Sequence, residues 1–168
     1  DEMNRLAGSV TPGSDGLAIL PFGNGSERIL MNRDTGCMIL GLNFNRHSNR
    51  HLFRAAQEGI AFSFRYGLDI MKETGINPVI IRAGMANMFL SGVFREVVSC
   101  ITGIPLNLYN TDGSTGAARG AGIGCGYYKS AGEAFVGLKS VGITEPDSEK
   151  IIQYSDAYEL WKSHIKSL

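Results

Sequence analysis

The sequence has no excess of charge of either sign. Its 168 residues contain 16 Lys and Arg against 16 Asp and Glu, and the like charges do not form blocks. Proteins that bind nucleic acid or anionic membranes through their overall charge carry a basic patch or a cluster of Lys and Arg. The balance therefore excludes nucleic acid and membrane surfaces as partners and predicts that any phosphate group is bound locally.

Cysteine is scarce and long apolar runs are absent. The three cysteines, Cys37, Cys100 and Cys125, are odd in number, far apart and set among apolar or small residues. This pattern favours buried thiols in a reducing compartment over a disulfide framework or a zinc site. No apolar run approaches the roughly 20 residues of a membrane span, and the N-terminus lacks the basic-then-apolar order of a signal peptide. We therefore expect a cytoplasmic protein with buried thiols and no metal ligands.

The pattern of apolar residues predicts a single α/β domain. Apolar residues make up 43% of the chain, enough for a sizeable core. Short apolar or β-branched runs predict strands at 16–22, 37–40, 78–81 and 106–110. Apolar residues at steps of three and four predict helices at 48–74, 89–101, 131–141 and 154–168, and a run of small residues predicts another at 116–126. Helices between successive strands imply parallel strand pairs there.

The long helix at 48–74 has clear boundaries. Ser48 or Asn49 can cap its first turn, and Gly75 supplies the stop. Its apolar residues recur every three or four positions, at Phe53, Ala56, Ile60, Phe64, Leu68 and Met71. Small residues at 55, 56, 59, 61 and 67 should let a second element approach closely, so we expect this helix to be central.

The stretch 78–100 is the first candidate for a ligand site. Its β-branched start predicts a strand at 78–81 that is covered on both faces. The small residues at 82–87 predict a turn that lets the backbone approach a guest molecule and directs helix N–H groups towards it. A plain strand-to-helix connection explains the same pattern and stays open.

Glycines at 120, 122, 124 and 126 give the segment 116–126 the look of a dinucleotide fingerprint. That motif follows a strand directly, whereas these glycines follow alanines of helical character. Close helix packing is therefore the better explanation.

Three motifs in the correct order resemble the FGGY carbohydrate kinases. Residues 41–62 contain a Gly-Leu, a polar loop and the pattern His-Leu-x-x-Ala-x-x-Glu-Gly-Ile on a helix. Residues 83–87, Ala-Gly-Met-Ala-Asn, are similar to the adenosine turn of that family. Thr115-Gly116-Ala117-Ala118 stands where the family begins its Ala-Leu-Gly-Ala-Ala helix. The resemblance covers nearly the whole chain.

The resemblance implies an actin-like, ribonuclease H-like ATPase domain with a mixed sheet flanked by helices. Residues 1–168 would be the C-terminal, nucleotide-binding half of a two-domain kinase that uses ATP with Mg²⁺. The sugar, the catalytic aspartate and the phosphate loop would belong mainly to the other half, so no catalytic residue is assigned to this chain. Within the family the motifs most resemble xylulokinases, with ribulose, gluconate and glycerol as alternative substrates. Whether the kinase forms a homodimer stays open.

The resemblance also implies the site residues. Ala83, Gly84 and Met85 would let the purine lie against the backbone, and the Asn87 amide would hydrogen-bond the base or else cap the next helix. The family usually has glycine at positions 82 and 83, so the turn is expected to differ in shape.

A second group of polar positions is expected to face the interdomain cleft. Gly41 and Asn45, with His47 beside them, would lie near phosphates, although a plain loop role is equally consistent with their sequence. His51, Glu58 and Asp112 are expected to serve structure rather than chemistry.

Two other functions stay open at the level of sequence. One is an actin- or chaperone-type module in which nucleotide drives a shape change. The other is a partner-docking domain whose nucleotide turn is vestigial.

Overall fold

The computed structural model describes residues 2–24 and 27–168. The helices are α1 (Glu2–Gly8), α2 (Asn49–Glu73), α3 (Gly92–Thr102), α4 (Gly113–Gly124), α5 (Ala131–Ala134) and α6 (Ser148–Lys166). The strands are β1 (Ala18–Phe22), β2 (Gly36–Leu40), β3 (Ile81–Gly84), β4 (Leu106–Tyr109) and β5 (Ser140–Thr144). Short 3₁₀ turns occupy Ser14–Gly16, Glu27–Leu30 and Asn87–Leu90. The residue types Gly23-Asn24-Gly25-Ser26 predict a turn after the first strand, and of these Gly25 and Ser26 lie outside the described residues.

The strands form two small sheets. β1 and β2 are antiparallel, with Ala18 opposite Leu40. β3 and β4 are parallel, with Ile81 opposite Leu106, and β5 lies antiparallel on the far side of β4. The result is a mixed α/β domain whose sheets are flanked by helices, which confirms the predicted class. The parallel pair β3–β4, joined through α3, is also confirmed. The parallel pair implied for β2 and β3, which α2 joins, was wrong, because these strands lie in separate sheets.

The long central helix is confirmed, together with its caps. Ser48 is the N-cap residue, and its backbone N–H donates to Nδ1 of His51 at 3.1 Å. Beyond the last turn, Gly75 has a φ of +84°, a conformation that glycine adopts without steric cost.

The buried face of α2 differs from the predicted apolar stripe. Its buried residues centre on Ala55, Gly59 and Phe62, whereas Phe64 and Met71 of the predicted stripe are exposed. A Cβ atom at Gly59 would lie 2.2 Å from the carbonyl oxygen of Ile19, so α2 packs directly against β1. The small residues therefore decide which face is inside, because only they allow this close approach.

The core lies between β1, α2, α3 and α6. Trp161, Tyr154, Phe94, Leu20 and Leu106 are its largest fully buried side chains. The predicted apolar face of the last helix is confirmed, since four of its residues are buried: Tyr154, Tyr158, Trp161 and Ile165.

The strand predicted at 78–81 was placed three residues too early and was wrongly expected to be covered on both faces. β3 begins at Ile81, and Val79 is 83% exposed. The parallel ladder starts only where Leu106 lies opposite Ile81, and Pro78 has no N–H to donate to it. β3 is the edge strand of its sheet, so within the described chain no strand pairs with its outer edge, and none of its four residues is fully buried.

The helix predicted at 131–141 was also wrong. One turn, α5, ends at Ala134, and β5 follows. Gly137 has a φ of +85°, which turns the chain back. Asn110 then holds the returning segment, because its N–H donates to the Lys139 carbonyl at 3.0 Å and its side-chain oxygen accepts from the Lys139 N–H at 2.7 Å.

Two of the three predicted buried thiols are exposed. Cys100 is buried in α3, but Cys37 lies on the outward side of β2 and Cys125 lies just after α4. None of the residues of α4 is buried, so its glycines do not mediate the close helix packing predicted for them. The one tight contact is local, where a Cβ at Gly122 would meet the ring of Tyr128 at 2.6 Å.

Across residues 2–24 and 27–168, no helix combines the length and the apolar character that crossing a bilayer requires. The same residues contain no group of three or more His, Cys, Asp or Glu side chains placed to hold a metal ion.

Candidate functional site

A cavity of about 240 Å³ opens where the parallel strands β3 and β4 end. Its lining residues come from both strand ends and from the segment before β5: Arg82, Ala83, Gly84, Tyr109, Thr111 and Leu138. In α/β proteins, ligands bind in crevices at the carboxyl ends of parallel strands. The cavity therefore has the position of a ligand site.

Gly84 lets the chain segments that leave β3 and β4, here called the two strand exits, come into contact. A Cβ atom at this position would lie 2.3 Å from the carbonyl oxygen of Thr111. The chain turns sharply after each strand, because the N–H of Ala86 donates to the Gly84 carbonyl at 2.8 Å and the N–H of Thr111 donates to the Tyr109 carbonyl at 2.8 Å. Only glycine fits between these two turns without moving one of them.

The strained residue of the turn is Asn87. Its φ is +51°, whereas Ala83 is extended as part of β3. Asn87 caps neither of the following helical segments, because Ala86 is the N-cap of the 3₁₀ turn and Ser91 caps α3 by accepting from the Phe94 N–H at 3.3 Å. The Asn87 side chain is exposed and makes no hydrogen bond within the described part of the chain.

Arg95 of α3 holds the segment 85–90, which follows β3, through contacts of its guanidinium. Its Nη1 donates to the Phe89 carbonyl at 2.8 Å and approaches the Met85 sulfur at 3.6 Å. Arg95 falls outside the apolar periodicity that predicts a helix at 89–101, so the sequence pattern did not reveal this role. Only the fold of 85–90 back over α3 brings these groups within reach.

Asp112 begins α4 beside the cavity. Its Oδ1 accepts from the Thr115 N–H at 2.7 Å and from the Ser114 hydroxyl at 2.8 Å. These hydrogen bonds, the one from the Thr115 backbone above all, lower the pKa of Asp112 to about 2. The expected turn-holding role of Asp112 is confirmed.

Gly41 and Asn45 lie in a different place, at the exit of β2. Gly41 has a φ of +74°, and a Cβ there would meet the Gly16 carbonyl at 2.7 Å. Asn45 belongs to an exposed turn in which its N–H donates to the Asn43 side chain at 2.9 Å. Neither residue lines the cavity at β3 and β4. Their predicted place near phosphates stays a prediction.

The two histidines beside this loop hold it to the turn before β1. His47 accepts from the Asn43 N–H at 3.0 Å through Nδ1, and its Nε2 lies 3.2 Å from the Asp15 carbonyl. His51 accepts from Ser48 through Nδ1, and its Nε2 lies 3.2 Å from the Asp15 carboxylate. Because Nδ1 of each ring accepts a hydrogen bond, the N–H group of each ring is at Nε2. Nε2–H of His47 donates a hydrogen bond to the Asp15 carbonyl, and Nε2–H of His51 donates one to the Asp15 carboxylate.

Glu58 is structural, as expected. It is 2% exposed, pairs with Arg54 at 2.8 Å and accepts from the Ser14 hydroxyl at 2.8 Å. Arg54 also donates to the Tyr154 hydroxyl, which in turn donates to Glu96 at 2.7 Å. This network joins α2, α3 and α6 inside the core and leaves Glu58 no access to a ligand.

Four lining residues were not among the predicted site residues: Arg82, Tyr109, Thr111 and Leu138. The strand at 106–110 and the turn after it were predicted, so the rule that parallel strands end at one edge would have indicated Tyr109 and Thr111. Leu138 could not be found in this way, because the segment containing it was predicted to be helical.

The sequence matches the model of the C-terminal domain of the FGGY family of carbohydrate kinases over residues 1–125. A xylulose kinase of Haemophilus influenzae is 28% identical over 174 residues, which cover 100% of this chain and 34% of that protein. A gluconokinase of Bacillus subtilis is 31% identical over 101 residues, which cover 60% of this chain and 20% of that protein. The chain thus spans about a third of the length of the xylulose kinases that it matches.

Solved structures share the fold. The crystal structure of xylulose kinase from Rhodospirillum rubrum superposes with a TM-score of 0.81 at 24% identity, covering 99% of this chain and 33% of that one. That of Plasmodium falciparum glycerol kinase with ADP superposes with a TM-score of 0.70 at 21% identity, covering 99% and 33%. Because the family model matches most of the sequence, the chain belongs to the FGGY family of carbohydrate kinases.

Proposed function

We propose that the chain is the ATP-binding, C-terminal domain of a cytoplasmic sugar kinase that converts ATP and D-xylulose to ADP and D-xylulose 5-phosphate. The observation that carries this proposal is the cavity at the ends of β3 and β4, which exists because Gly84 lets the two strand exits meet. Family membership supports ATP as the phosphate donor, and the ADP in the Plasmodium falciparum glycerol kinase structure supports it further.

The residues at the cavity fit a purine nucleoside. The volume of about 240 Å³ is somewhat below the roughly 300–1,000 Å³ of typical ligand pockets. Ala83 and Gly84 offer the flat backbone on which a base can lie. Met85 and Asn87 follow them just beyond the lining of the cavity, and the exposed Asn87 amide has both a donor and an acceptor for the edge of a base.

Phosphoryl transfer requires positioned phosphates, a metal ion and a base for the attacking hydroxyl. Bound ATP with Mg²⁺ supplies the phosphoryl group and the metal. In this proposal Ala83, Gly84, Met85 and Asn87 hold the adenosine, and Gly41 and Asn45 face the phosphates across the cleft. The sugar site, the catalytic base and the groups that position Mg²⁺ belong to polypeptide outside these residues.

D-Xylulose is the proposed substrate because xylulose kinases align with the whole of this chain. Gluconate is the second candidate, since the gluconokinase of Bacillus subtilis has the higher identity over a shorter segment. D-Xylulose is an uncharged five-carbon ketose, whereas gluconate has six carbons and a carboxylate at C1.

The substrate assignment is tested by a coupled ADP assay on the complete protein that carries this chain. We expect kcat/KM to be highest with D-xylulose when compared with ribulose, gluconate and glycerol. A higher value with another of these substrates would replace D-xylulose within the family. ADP release that does not depend on any sugar would instead favour an actin- or chaperone-type module.

The site assignment is tested by Asn87→Ala in the same protein. Loss of one neutral hydrogen bond costs about 0.5–1.5 kcal/mol, so KM for ATP should rise about two- to twelvefold while KM for the sugar is unchanged. Asn77→Ala is the matched control, because it removes an exposed amide before the start of β3, at the opposite end of the strand. If KM for ATP changed equally in the two variants, the placement of the adenine base at Asn87 would be contradicted. That result would favour a partner-docking domain whose nucleotide turn is vestigial.

A further inference from the structure

Arg82 is a cation at the cavity with no partner of its own. It lies in the edge strand β3 opposite Asn107, on the face away from Ile81 and Leu106, and its side chain is exposed. It lines the cavity together with Gly84 and Thr111. Within the described residues its guanidinium has no hydrogen bond and no carboxylate within 4 Å.

Three other arginines of the chain have partners. Arg54 and Arg65 each pair with a carboxylate one helical turn away, at 2.8 and 2.7 Å. Arg95 donates to backbone carbonyls of the turn after β3. Arg50 is exposed without a partner in the described part of the chain as well, so what distinguishes Arg82 is its place in the lining of the cavity.

The polar neighbours of Arg82 are already satisfied by one another. The Asn107 amide donates to the Tyr109 hydroxyl at 3.1 Å, and the Ser140 hydroxyl donates to the Asn107 oxygen at 2.5 Å. Asp112, the carboxylate just beyond Thr111, accepts from the first turn of α4 instead. None of these groups takes up the five N–H donors of Arg82.

A guanidinium presents its donors in a planar fork that matches the oxygens of a phosphate group. Such a group beside a nucleoside-sized cavity attracts a nucleotide through its phosphates and not through its base. The strand places Arg82 two residues before Gly84, on the same side of the sheet, because side chains alternate along a strand.

We propose that Arg82 pairs with a phosphate of the nucleotide bound at this cavity and makes the site prefer nucleoside diphosphates and triphosphates over the nucleoside. This inference rests on the proposed function, because it assumes that the cavity holds the nucleotide. It adds a residue that sets the preference for the phosphorylated form.

Calorimetric titration of the complete protein with ADP and with adenosine tests the inference. In Arg82→Gln, which keeps much of the side-chain length and removes the charge, the Kd for ADP should rise about tenfold, as for loss of a charge-assisted hydrogen bond. The Kd for adenosine should stay within about twofold. Arg82→Lys should recover part of the ADP affinity, because a lysine keeps the charge but not the fork.

Lys72→Gln is the charge-matched control. Lys72 lies in the last turn of α2, which leads to the opposite end of β3, so its removal should change neither Kd. Raising the salt concentration should weaken ADP binding more in the wild-type protein than in Arg82→Gln, since salt screens an exposed charge pair.

The outcomes separate the two proposals. If the wild-type protein binds neither ADP nor adenosine, the proposed function is wrong and the role of Arg82 is overturned with it. If both ligands bind and Arg82→Gln leaves the ADP affinity unchanged, only the role of Arg82 is overturned. Equal losses for ADP and adenosine also overturn it, because they would mean that Arg82 contacts the base or shapes the cavity.

Discussion

Gly84 is the single residue at which the two strand exits meet. The carbonyl oxygen of Thr111 occupies the place that a side chain would take, at 2.3 Å from an added Cβ. Since that oxygen belongs to the backbone of the neighbouring turn, the turn has to move when the methyl group is added. The same requirement for close backbone approach makes this position unsuitable for any larger residue.

We expect Gly84→Ala to lower the free energy of unfolding by about 1–3 kcal/mol, the usual cost of overpacking a tight site. Urea denaturation followed by circular dichroism measures it. Gly120→Ala is the control, because no atom lies within 4 Å of its added Cβ and α4 gains about 0.5–1 kcal/mol from replacing a helical glycine. A Gly84→Ala protein as stable as wild type would show that the two exits can separate freely.

At the scale of one element, α4 depends on local interactions. It has no buried residue, so its stability comes from its cap and its own hydrogen bonds and not from packing. Asp112 supplies the cap, and hydrogen bonding lowers its pKa to about 2.

The stability of α4 should therefore fall in acid. A carboxyl group whose pKa is lower in the folded state than its value of about 3.9 in the unfolded chain stabilises the fold above that pH. This contribution should be lost as the pH falls from about 4 through about 2. An NMR titration of the Asp112 carboxyl, together with amide exchange of Thr115, measures it.

Asp112→Asn keeps an acceptor oxygen but has no carboxyl to titrate. We expect amide protection of α4 in this variant to be independent of pH between about 4 and 2. Asp34→Asn, in an exposed loop, should leave the pH dependence of α4 as in the wild type. If amide protection of α4 were lost at the same pH in the wild type, Asp112→Asn and Asp34→Asn, the role of Asp112 would be contradicted.

At the scale of the whole molecule, the last helix closes the core over the first strand. Trp161 of α6 is 1% exposed, and its Nε1 donates to the Ile19 carbonyl of β1 at 2.8 Å. Its ring contacts those of Phe22 and Phe62, with centroids 6.3 and 6.0 Å away. One side chain thus joins three elements that are far apart in sequence.

We expect Trp161→Phe to lower the free energy of unfolding by about 2–3 kcal/mol, because it leaves the Ile19 carbonyl without this donor and leaves a gap beside the smaller ring. Thermal and urea unfolding measure the change. Leu160→Ala, on the exposed side of the same turn, should change the free energy by about 0.5 kcal/mol or less. Similar decreases in the free energy of unfolding in both variants would mean that α6 stabilises the core through nonspecific apolar contacts and not through the specific contacts of Trp161.

Several features of this protein could be derived from local sequence alone. The length and ends of α2 follow from Ser48 and Gly75, and the buried face of α6 follows from the spacing of its aromatic residues. The motifs at 41–62 and 83–87 indicated the family. These features depend on neighbours within a few residues or on a period of the helix, and the sequence contains that information directly.

Other features depend on residues that meet only in the folded chain. The inner face of α2 is the one with Ala55 and Gly59, because β1 lies close enough to exclude larger side chains there. β5 forms because Asn110 holds Lys139, and no local pattern distinguished that segment from a helix. The exposure of Cys37 likewise follows from which side of β2 faces outward.

The candidate site divides in the same way. The sequence by itself determined the glycine-containing turn after a strand, the asparagine within it and the family to which they belong. Only the tertiary structure decided that Tyr109, Thr111 and Leu138 share a cavity with Arg82, Ala83 and Gly84. Leu138 comes from the segment before β5. Tyr109 and Thr111 are separated from β3 by α3 in sequence, and the parallel pairing of β3 with β4 brings the ends of both strands to one edge of the sheet.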